Sequence, residues 1–293
     1  MIALRKLLDK IGKSLYYFSM TSIEHTTIAG FPASVARPAN RRPGTPPVLL
    51  LHGAFADHHC FDGWVDRLGA AGLLAVAPSR RGRNGVGPER AAGLTFDDYV
   101  ADTLAVIDEL GEAPVLVGHS LGGLVAQKVA EQGRAAAVVL LASAPPSMLT
   151  AQAVALPHFG PMVPKIMAGK AVIVPDGACS VLALNRMPEE QRPAIHAGLV
   201  HESGKVYRSL MMGTVRVDAR KVTVPVFVAG ATEDRLVSAR LVRKTAKHYG
   251  VEARILDGRG HFLIVEPGWE SLADSVRDWI DAQLPAGLPI SHT

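Results

Sequence analysis

The feature that most constrains this chain is a buried strand that runs directly into a serine flanked by glycines. The apolar run Val115-Leu116-Val117 is followed by Gly118-His119-Ser120-Leu121-Gly122, and a helix-compatible stretch comes next. The turn from strand to helix in such a segment is tight and strains the serine backbone, so only glycine fits two residues to either side. The segment therefore predicts a nucleophile elbow that exposes the hydroxyl of Ser120.

From Pro46 onward, short apolar runs alternate with helix-length segments, as in a parallel sheet covered by helices on both faces. The predicted strands are residues 48–51, 73–77, 115–118, 137–141, 224–229 and 253–256. The predicted helices are residues 61–70, 96–110, 121–132, 239–249 and 269–284. We also predict a hairpin of strands 24–29 and 33–37 at the sheet edge, with Gly30 at its bend.

One predicted helix start has a capping-box signature, in which Thr95 is followed three residues later by Asp98. Val100, Leu104 and Ile107 follow at helical spacing and predict the buried face of that helix.

The alternation stops between residues 145 and 222, where prolines divide the chain into short pieces that are rich in aliphatic residues and methionine. A second core is one interpretation. We favour a cap of short helices above the serine, because ligands of α/β sheets bind at the carboxyl ends of the strands. The predicted organisation is an N-terminal extension (1–22), a core (23–144 and 223–286), a cap (145–222) and a C-terminal tail (287–293).

Charge and cysteine content exclude several classes of protein. The net charge of +4 arises from 31 basic and 27 acidic residues spread along the chain, which does not indicate a nucleic-acid partner. We interpret Arg41-Arg42 and Arg80-Arg81 as solvated loop charges. Cys60 and Cys179 are far apart and suggest neither a disulfide framework nor a zinc site, so we expect free thiols and a cytoplasmic protein.

The first twenty residues have leucines at helical spacing among basic residues, which fits an amphipathic helix or an extension outside the domain. Lys10 and Lys13 interrupt any signal-peptide core, which argues against secretion. No apolar run approaches the roughly 20 residues that a membrane span needs.

A serine hydroxyl needs a base to remove its proton and usually a carboxylate to orient that base. The strand at 224–229 runs into Gly230-Ala231-Thr232-Glu233-Asp234, and the next strand ends in a glycine-flanked loop that presents His261. Both loops reach the sheet edge where the elbow lies. Asp234 is therefore the predicted acid and His261 the predicted base.

The order Ser120, Asp234, His261 is the Ser-Asp-His order of the α/β-hydrolases, and the chain resembles that fold family over about residues 24–285. Leu50-Leu51-His52-Gly53 resembles the family's strand-ending motif, and Gly260-His261 its histidine loop. The resemblance implies an α/β-hydrolase fold, with a mostly parallel, doubly wound sheet and an inserted helical cap.

Several residues have a second interpretation. Glu233 could be the acid, but the family pattern places the aspartate directly before a segment like Arg235-Leu236-Val237-Ser238, which favours Asp234. We interpret His52 as a structural histidine that holds its loop. We interpret His58-His59-Cys60 as loop or pocket lining and not as a metal site, since adjacent ligands in one extended segment cannot all face one ion.

By the same resemblance, the backbone N–H groups of Ala54 and Leu121 form the oxyanion hole. The sequence departs from the family pattern at Ser79, where relatives often have a structural aspartate, and this puts the conformation of that loop in doubt. The residues expected to contact the substrate are Phe55, His119, Leu156, Phe159, Met162 and Phe262.

We therefore expect a serine hydrolase that cleaves carboxylic esters of small to medium apolar substrates through an acyl-enzyme, without metal or organic cofactor. Its expected partner is a small ester-like molecule, and the sequence leaves the oligomeric state open. The alternatives on the same three residues are a lactonase or thioesterase, a perhydrolase or haloperoxidase-like enzyme, and a hydroxynitrile lyase or C–C bond hydrolase. A small-molecule receptor is the least favoured. A serine at the elbow argues against aspartyl-ester chemistry.

Overall fold

The structure is a computed structural model that describes residues 23–83, 88–147 and 155–284. Its centre is one eight-stranded sheet with the strand order β1-β2-β4-β3-β5-β6-β7-β8. The strands are β1 (Glu24–Ile28), β2 (Phe31–Ala36), β3 (Val48–Leu51), β4 (Ala75–Pro78), β5 (Val115–His119), β6 (Ala137–Leu141), β7 (Val226–Ala231) and β8 (Ala253–Leu256). The predicted N-terminal extension, with its basic helix, and the predicted C-terminal tail lie outside the described residues.

Strands β3 to β8 pair in parallel, whereas the β1–β2 hairpin and the β2–β4 pair are antiparallel. The predicted hairpin is confirmed and forms one edge of the sheet. Strands β3, β5 and β6 are buried at every residue, which explains why they read as continuous apolar runs without alternation. Strand β7 begins at Val226, two residues later than predicted, and Pro225 before it has no N–H to donate to a ladder.

Helices cover both faces of the sheet. One face packs against α1 (Asp62–Ala70) and α10 (Trp269–Gln283). The other face packs against α2 (Phe96–Leu110), α3 (Leu121–Ala130) and α9 (Ala239–His248). The two apolar clusters confirm the predicted doubly wound architecture, in which each strand contributes side chains alternately to one face and the other.

The start of α2 follows its sequence signature. Thr95 accepts a hydrogen bond from the backbone N–H of Asp98, and the Asp98 side chain accepts one from the N–H of Thr95. Gly111 ends the helix in the left-handed conformation with φ of 72°. Val100 and Ile107 are buried as predicted, and Leu104 is partly buried.

The segment between β6 and β7, called here the inserted segment (155–221), is helical. It contains α4 (Leu156–Phe159), α5 (Val163–Met167), α6 (Asp176–Leu182), α7 (Arg192–Ala197) and α8 (Gly204–Met211), with short 3₁₀ turns at Gly160–Met162, Glu189–Gln191 and Ala219–Lys221. Its apolar side chains form a third cluster, which also takes in Phe55 and Phe262 from the loops at the carboxyl edge of the sheet. The inserted segment therefore lies over the end of the sheet where the elbow is. In the described ranges, no helix has both the length and the apolar character that crossing a bilayer requires.

Candidate active site

Three loops that follow parallel strands bring the predicted triad together. Ser120 follows β5, Asp234 follows β7 and His261 follows β8, so all three lie at the carboxyl edge of the sheet. The Nε2 atom of His261 lies 3.0 Å from Ser120 Oγ, and its Nδ1 lies 2.8 Å from Asp234 Oδ2. All three side chains belong to buried residues. The distances suit transfer of a proton from the hydroxyl to the imidazole.

Asp234 is held for this contact by the backbone that follows it. Its Oδ1 atom accepts hydrogen bonds from the N–H groups of Leu236 and Val237, both at 2.8 Å, which leaves Oδ2 to face His261. Glu233, the alternative acid, has a side chain 44% exposed that pairs with Arg186. The geometry therefore favours Asp234 over Glu233.

The elbow is as tight as the sequence predicts. Ser120 has φ of 52° and ψ of −118°, a strained conformation for a residue with a side chain, and α3 begins at the next residue. A methyl group on Gly122 would overlap the backbone carbonyl of Leu51, and one on Gly118 would overlap the backbone of α3. The close approach of β3, β5 and α3 around Ser120 thus requires glycine at both positions.

The two predicted oxyanion donors come from the loop that follows β3 and from the start of α3. Leu121 is the first residue of α3, so its N–H has no carbonyl to bind within the helix and lies at the positive end of the helix dipole. Ala54 lines the cavity beside Ser120 and His261. Leu121 is thus adjacent to Ser120 in the chain, and Ala54 lines the same cavity as Ser120.

The loop that contains Ala54 is fixed by Arg80. The Arg80 guanidinium donates to the carbonyls of His52 and Gly53 at 2.7 and 2.9 Å, and it lies over the Tyr99 ring at 4.9 Å. The interpretation of Arg80 as a solvated loop charge is wrong, since the residue is 3% exposed. Its burial is compensated by carbonyl acceptors and an aromatic face, and burial lowers its pKa to about 10.

His52 also contacts the backbone of this loop and of Arg80. Its Nε2 accepts from the backbone N–H of Arg80 at 3.3 Å, and its Nδ1 lies 2.9 Å from the carbonyl of Gly53 and 3.0 Å from the Arg80 guanidinium. Burial, with the nearby charges of Arg80 and Arg83, holds the pKa of His52 well below its ordinary value. These contacts fit a structural histidine.

A buried ion pair joins the inserted segment to the core. Arg83 pairs with Glu202, both side chains have no solvent exposure, and the Tyr99 hydroxyl donates to Glu202 at 2.5 Å. Burial works to raise the pKa of Glu202, but the charges of Arg83 and Arg80 outweigh it and keep the pKa low. Sequence reasoning missed this network because its members are far apart in the chain and carry no local motif.

His119, the residue before Ser120, is buried next to His261. Its Nε2 faces the backbone carbonyl of His261 at 2.9 Å, and burial, followed by the charge of His261, lowers its pKa to about 3. The ring therefore stays neutral and carries its proton on Nε2, while Nδ1 is buried and has no partner among the described residues. His119 supports the backbone of the His261 loop and also lines the cavity.

We expect His119 to make the fold sensitive to acid. Below about pH 6.5 the unfolded chain binds a proton at this residue, whereas the native chain does not until about pH 3, so stability rises with pH in that window and is lost as pH falls. Between about pH 6 and pH 4 the contribution is about 1.4 kcal/mol per pH unit. Urea unfolding of the wild type and of His119→Gln should show a shallower slope for the variant. Parallel slopes would contradict the prediction.

An apolar cavity opens over Ser120 and lies between the core loops and the inserted segment. Of the six predicted contact residues, four line it: Phe55, His119, Phe159 and Phe262. Met162 packs inside the third apolar cluster and is not among the lining residues, and the side chain of Leu156 lies outside the described part of the chain. Lining residues missed from the sequence are Ala144, Ala155, Val174, Ala178, Cys179, Leu182, Ala183, Leu184, Leu199, Tyr207, Leu210, Met211, Leu236 and Val237.

The segment His58-His59-Cys60 is not extended, as the sequence interpretation assumed. Residues His58–Phe61 form a 3₁₀ turn and not an extended segment, and none of them lines the cavity over Ser120. His25 from β1 lies beside His58 and His59, so two neighbouring histidines of the triplet do share a third possible ligand. Cys60 does not belong to this group.

The chain belongs to the alpha/beta hydrolase family, whose model matches residues 48–274. It is 26% identical over 262 residues to a monoacylglycerol lipase of Mycolicibacterium smegmatis, a match that covers 83% of this chain and 91% of the relative. It is 28% identical over 217 residues to a non-heme chloroperoxidase of Streptomyces lividans, with 65% and 75% covered. The crystal structure of a Paleococcus ferrophilus monoacylglycerol lipase superposes with a TM-score of 0.65 at 23% identity and covers 83% of this chain and 97% of that one. The predicted fold is thus confirmed.

Proposed function

We propose that this protein is a carboxylic-ester hydrolase that works through an acyl-enzyme on Ser120. The observation that carries the proposal is the hydrogen-bonded series of Asp234, His261 and Ser120. Ser120, at the end of this series, lines an apolar cavity. An apolar cavity with few convergent polar groups is typical of a site for a small apolar ligand.

The geometry supports the following sequence of steps. Ser120 Oγ attacks the ester carbonyl while His261 Nε2 takes its proton, and Asp234 stabilises the imidazolium. The N–H groups of Ala54 and Leu121 bind the oxyanion that forms. His261 then gives the proton to the departing alcohol, and water, activated by the same histidine, releases the acid and restores Ser120.

We propose that the inserted segment belongs to a cap that selects the substrate. The chain is then divided into a core (23–144 and 223–286) and a cap (145–222). The cap residues around the cavity are mostly aliphatic, so they favour an apolar acyl or alcohol group. The similarity to monoacylglycerol lipases makes glycerol esters with one acyl chain the first natural-type substrates to test. Since Cys60 and Cys179 are free thiols, we also place the protein in the cytoplasm.

A serine-reactive fluorophosphonate should label Ser120. We expect one adduct per chain on the peptide that carries Ser120, because the hydroxyl lies within hydrogen-bond distance of its base and opens into the cavity. Peptide mass spectrometry before and after labelling measures this, with Ser271→Ala, an exposed serine on α10, as a matched control that should label normally. Labelling of another residue in the wild type would contradict the assignment.

A second candidate function is transfer of the acyl group to hydrogen peroxide, which would give a peracid from the same acyl-enzyme. The similarity to a non-heme chloroperoxidase favours it among the alternatives. Peracid formation from a short-chain ester and hydrogen peroxide tests whether peroxide or water accepts the acyl group. Hydrolysis of a chain-length series of p-nitrophenyl esters and of acyl-homoserine lactones, measured beside it, tests which substrates the enzyme prefers.

A further inference from the structure

Three histidines meet at the antiparallel edge of the sheet, outside the cavity over Ser120. His25 comes from β1, and His58 and His59 come from the 3₁₀ turn that precedes α1. One possible ligand atom from each lies within 4.8 Å of the others. The ring centroids of His25 and His59 are 5.1 Å apart, and those of His58 and His59 are 3.9 Å apart. We call these three residues the histidine cluster.

Each ring of the histidine cluster is oriented by an oxygen atom beside its Nδ1. The pairs are His25 with Ser34 Oγ at 3.2 Å, His58 with Ser79 Oγ at 2.7 Å, and His59 with Asp62 Oδ2 at 3.0 Å. Ser34 also donates to Asp62 Oδ1 at 2.5 Å, so two of the supporting oxygens are themselves connected. Histidine ligands of metals are commonly held in this way by carboxylates and other oxygens, which fix the tautomer and the ring direction.

The surroundings suit a borderline-soft ion better than Mg²⁺ or Ca²⁺. The possible ligands are imidazole nitrogens, which suit zinc, copper and nickel, whereas Mg²⁺ and Ca²⁺ prefer several oxygens. Asp62 is partly exposed and adds a negative charge next to the cluster. Ser79, which stands where relatives often have an aspartate, accepts a hydrogen bond from the His58 N–H and contacts the His58 ring.

We propose that the histidine cluster binds one Zn²⁺ ion, or a divalent ion of the same class, through three imidazoles and a water molecule. Zn²⁺ lies about 2.0–2.1 Å from each nitrogen in a tetrahedral site, which brings the nitrogens to roughly 3.4 Å from one another. For the three histidines to bind one ion, rotation of their rings must therefore move the ligand nitrogens by roughly 1 Å. His25 and His59 are exposed and can make them, while His58 is buried and gives the site a fixed ligand.

Zinc titration of the full chain, purified without an affinity tag and freed of metal with a chelator, tests the proposal. We expect one ion per chain by calorimetry and a visible absorption spectrum typical of tetrahedral coordination when Co²⁺ replaces Zn²⁺. His25→Ala and His59→Ala should each weaken Zn²⁺ binding at least tenfold, and Asp62→Asn about tenfold or more through loss of ring orientation.

The matched control is His248→Ala, which removes an exposed histidine on α9, at the opposite end of the sheet from β1. It should bind Zn²⁺ as the wild type does. Thermal melting of the metal-free variants shows that each has folded. Equal affinity in wild type, His25→Ala and His59→Ala would overturn the proposal, as would weak binding of several ions that every variant shares. Neither result depends on ester hydrolysis, so the proposed function is tested separately.

Discussion

Replacing Ser120 by alanine is expected to lower kcat for a p-nitrophenyl ester by about 10⁴–10⁶-fold, since the acyl-enzyme can no longer form. The cavity and both oxyanion donors are unchanged in this variant, so KM should change little. Alanine and serine both have a Cβ and are both strained at the φ of 52°, so the free energy of unfolding should stay within about 1 kcal/mol of the wild type. Initial rates with a short-chain ester, together with urea unfolding, measure both quantities.

Ser271→Ala provides the matched control for this comparison. Ser271 lies on α10 and is exposed, with its hydroxyl bound to the carbonyl of Gly268, so its loss should leave kcat unaffected. Full activity in Ser120→Ala would exclude the acyl-enzyme, and an equal loss in both variants would point to a general effect on folding.

Replacing Glu202 by alanine should cost about 3–5 kcal/mol of the free energy of unfolding, because it leaves the charge of Arg83 buried without the carboxylate that neutralises it. The variant also removes the acceptor of the Tyr99 hydroxyl and of the N–H of Ser203. Since Glu202 belongs to the inserted segment and Arg83 to the core, the loss should also loosen the contact between them. Urea unfolding at neutral pH measures the change.

The control is Glu189→Ala, which breaks an ion pair on the surface. The Glu189 side chain is 89% exposed and lies 3.9 Å from Arg192, so the expected change is within about 0.5 kcal/mol. Glu202→Gln should be intermediate, since an amide keeps the shape and one acceptor but not the charge. A loss below about 1 kcal/mol in Glu202→Ala would contradict the idea that this buried pair holds the two parts together.

Much of the fold could be predicted because local signals agreed with the global arrangement. The buried parallel strands are apolar over most of their length, and the capping pair of Thr95 and Asp98 marks a helix start that the structure has at the same place. Chain order at the carboxyl edge selected Ser120, His261 and the loop of the acid, because parallel strands end at one edge. The choice of Asp234 over Glu233 needed the family resemblance as well.

The rest depended on contacts between residues distant in sequence. Arg80 looks like a surface charge beside Arg81, and only the folded chain places carbonyl groups and Tyr99 around it. The same holds for His25, which meets His58 and His59 only because β1 lies at the sheet edge next to their turn. Within the inserted segment, the sequence predicted an apolar surface, but which side chains face the cavity is set by packing of short helices that have no clear periodicity.

Two side chains of the inserted segment donate hydrogen bonds to the loops that contain Asp234 and His261. Asn185 donates to the carbonyl of Glu233 at 3.0 Å, and Arg186 donates to the carbonyl of Gly258 at 2.8 Å. These carbonyls lie within three residues of Asp234 and His261 in the chain. Grafting an unrelated segment between β6 and β7 to change specificity would therefore also remove two supports of the acid and the base. A functional chimera needs an asparagine and an arginine, or equivalent donors, at these two points of attachment.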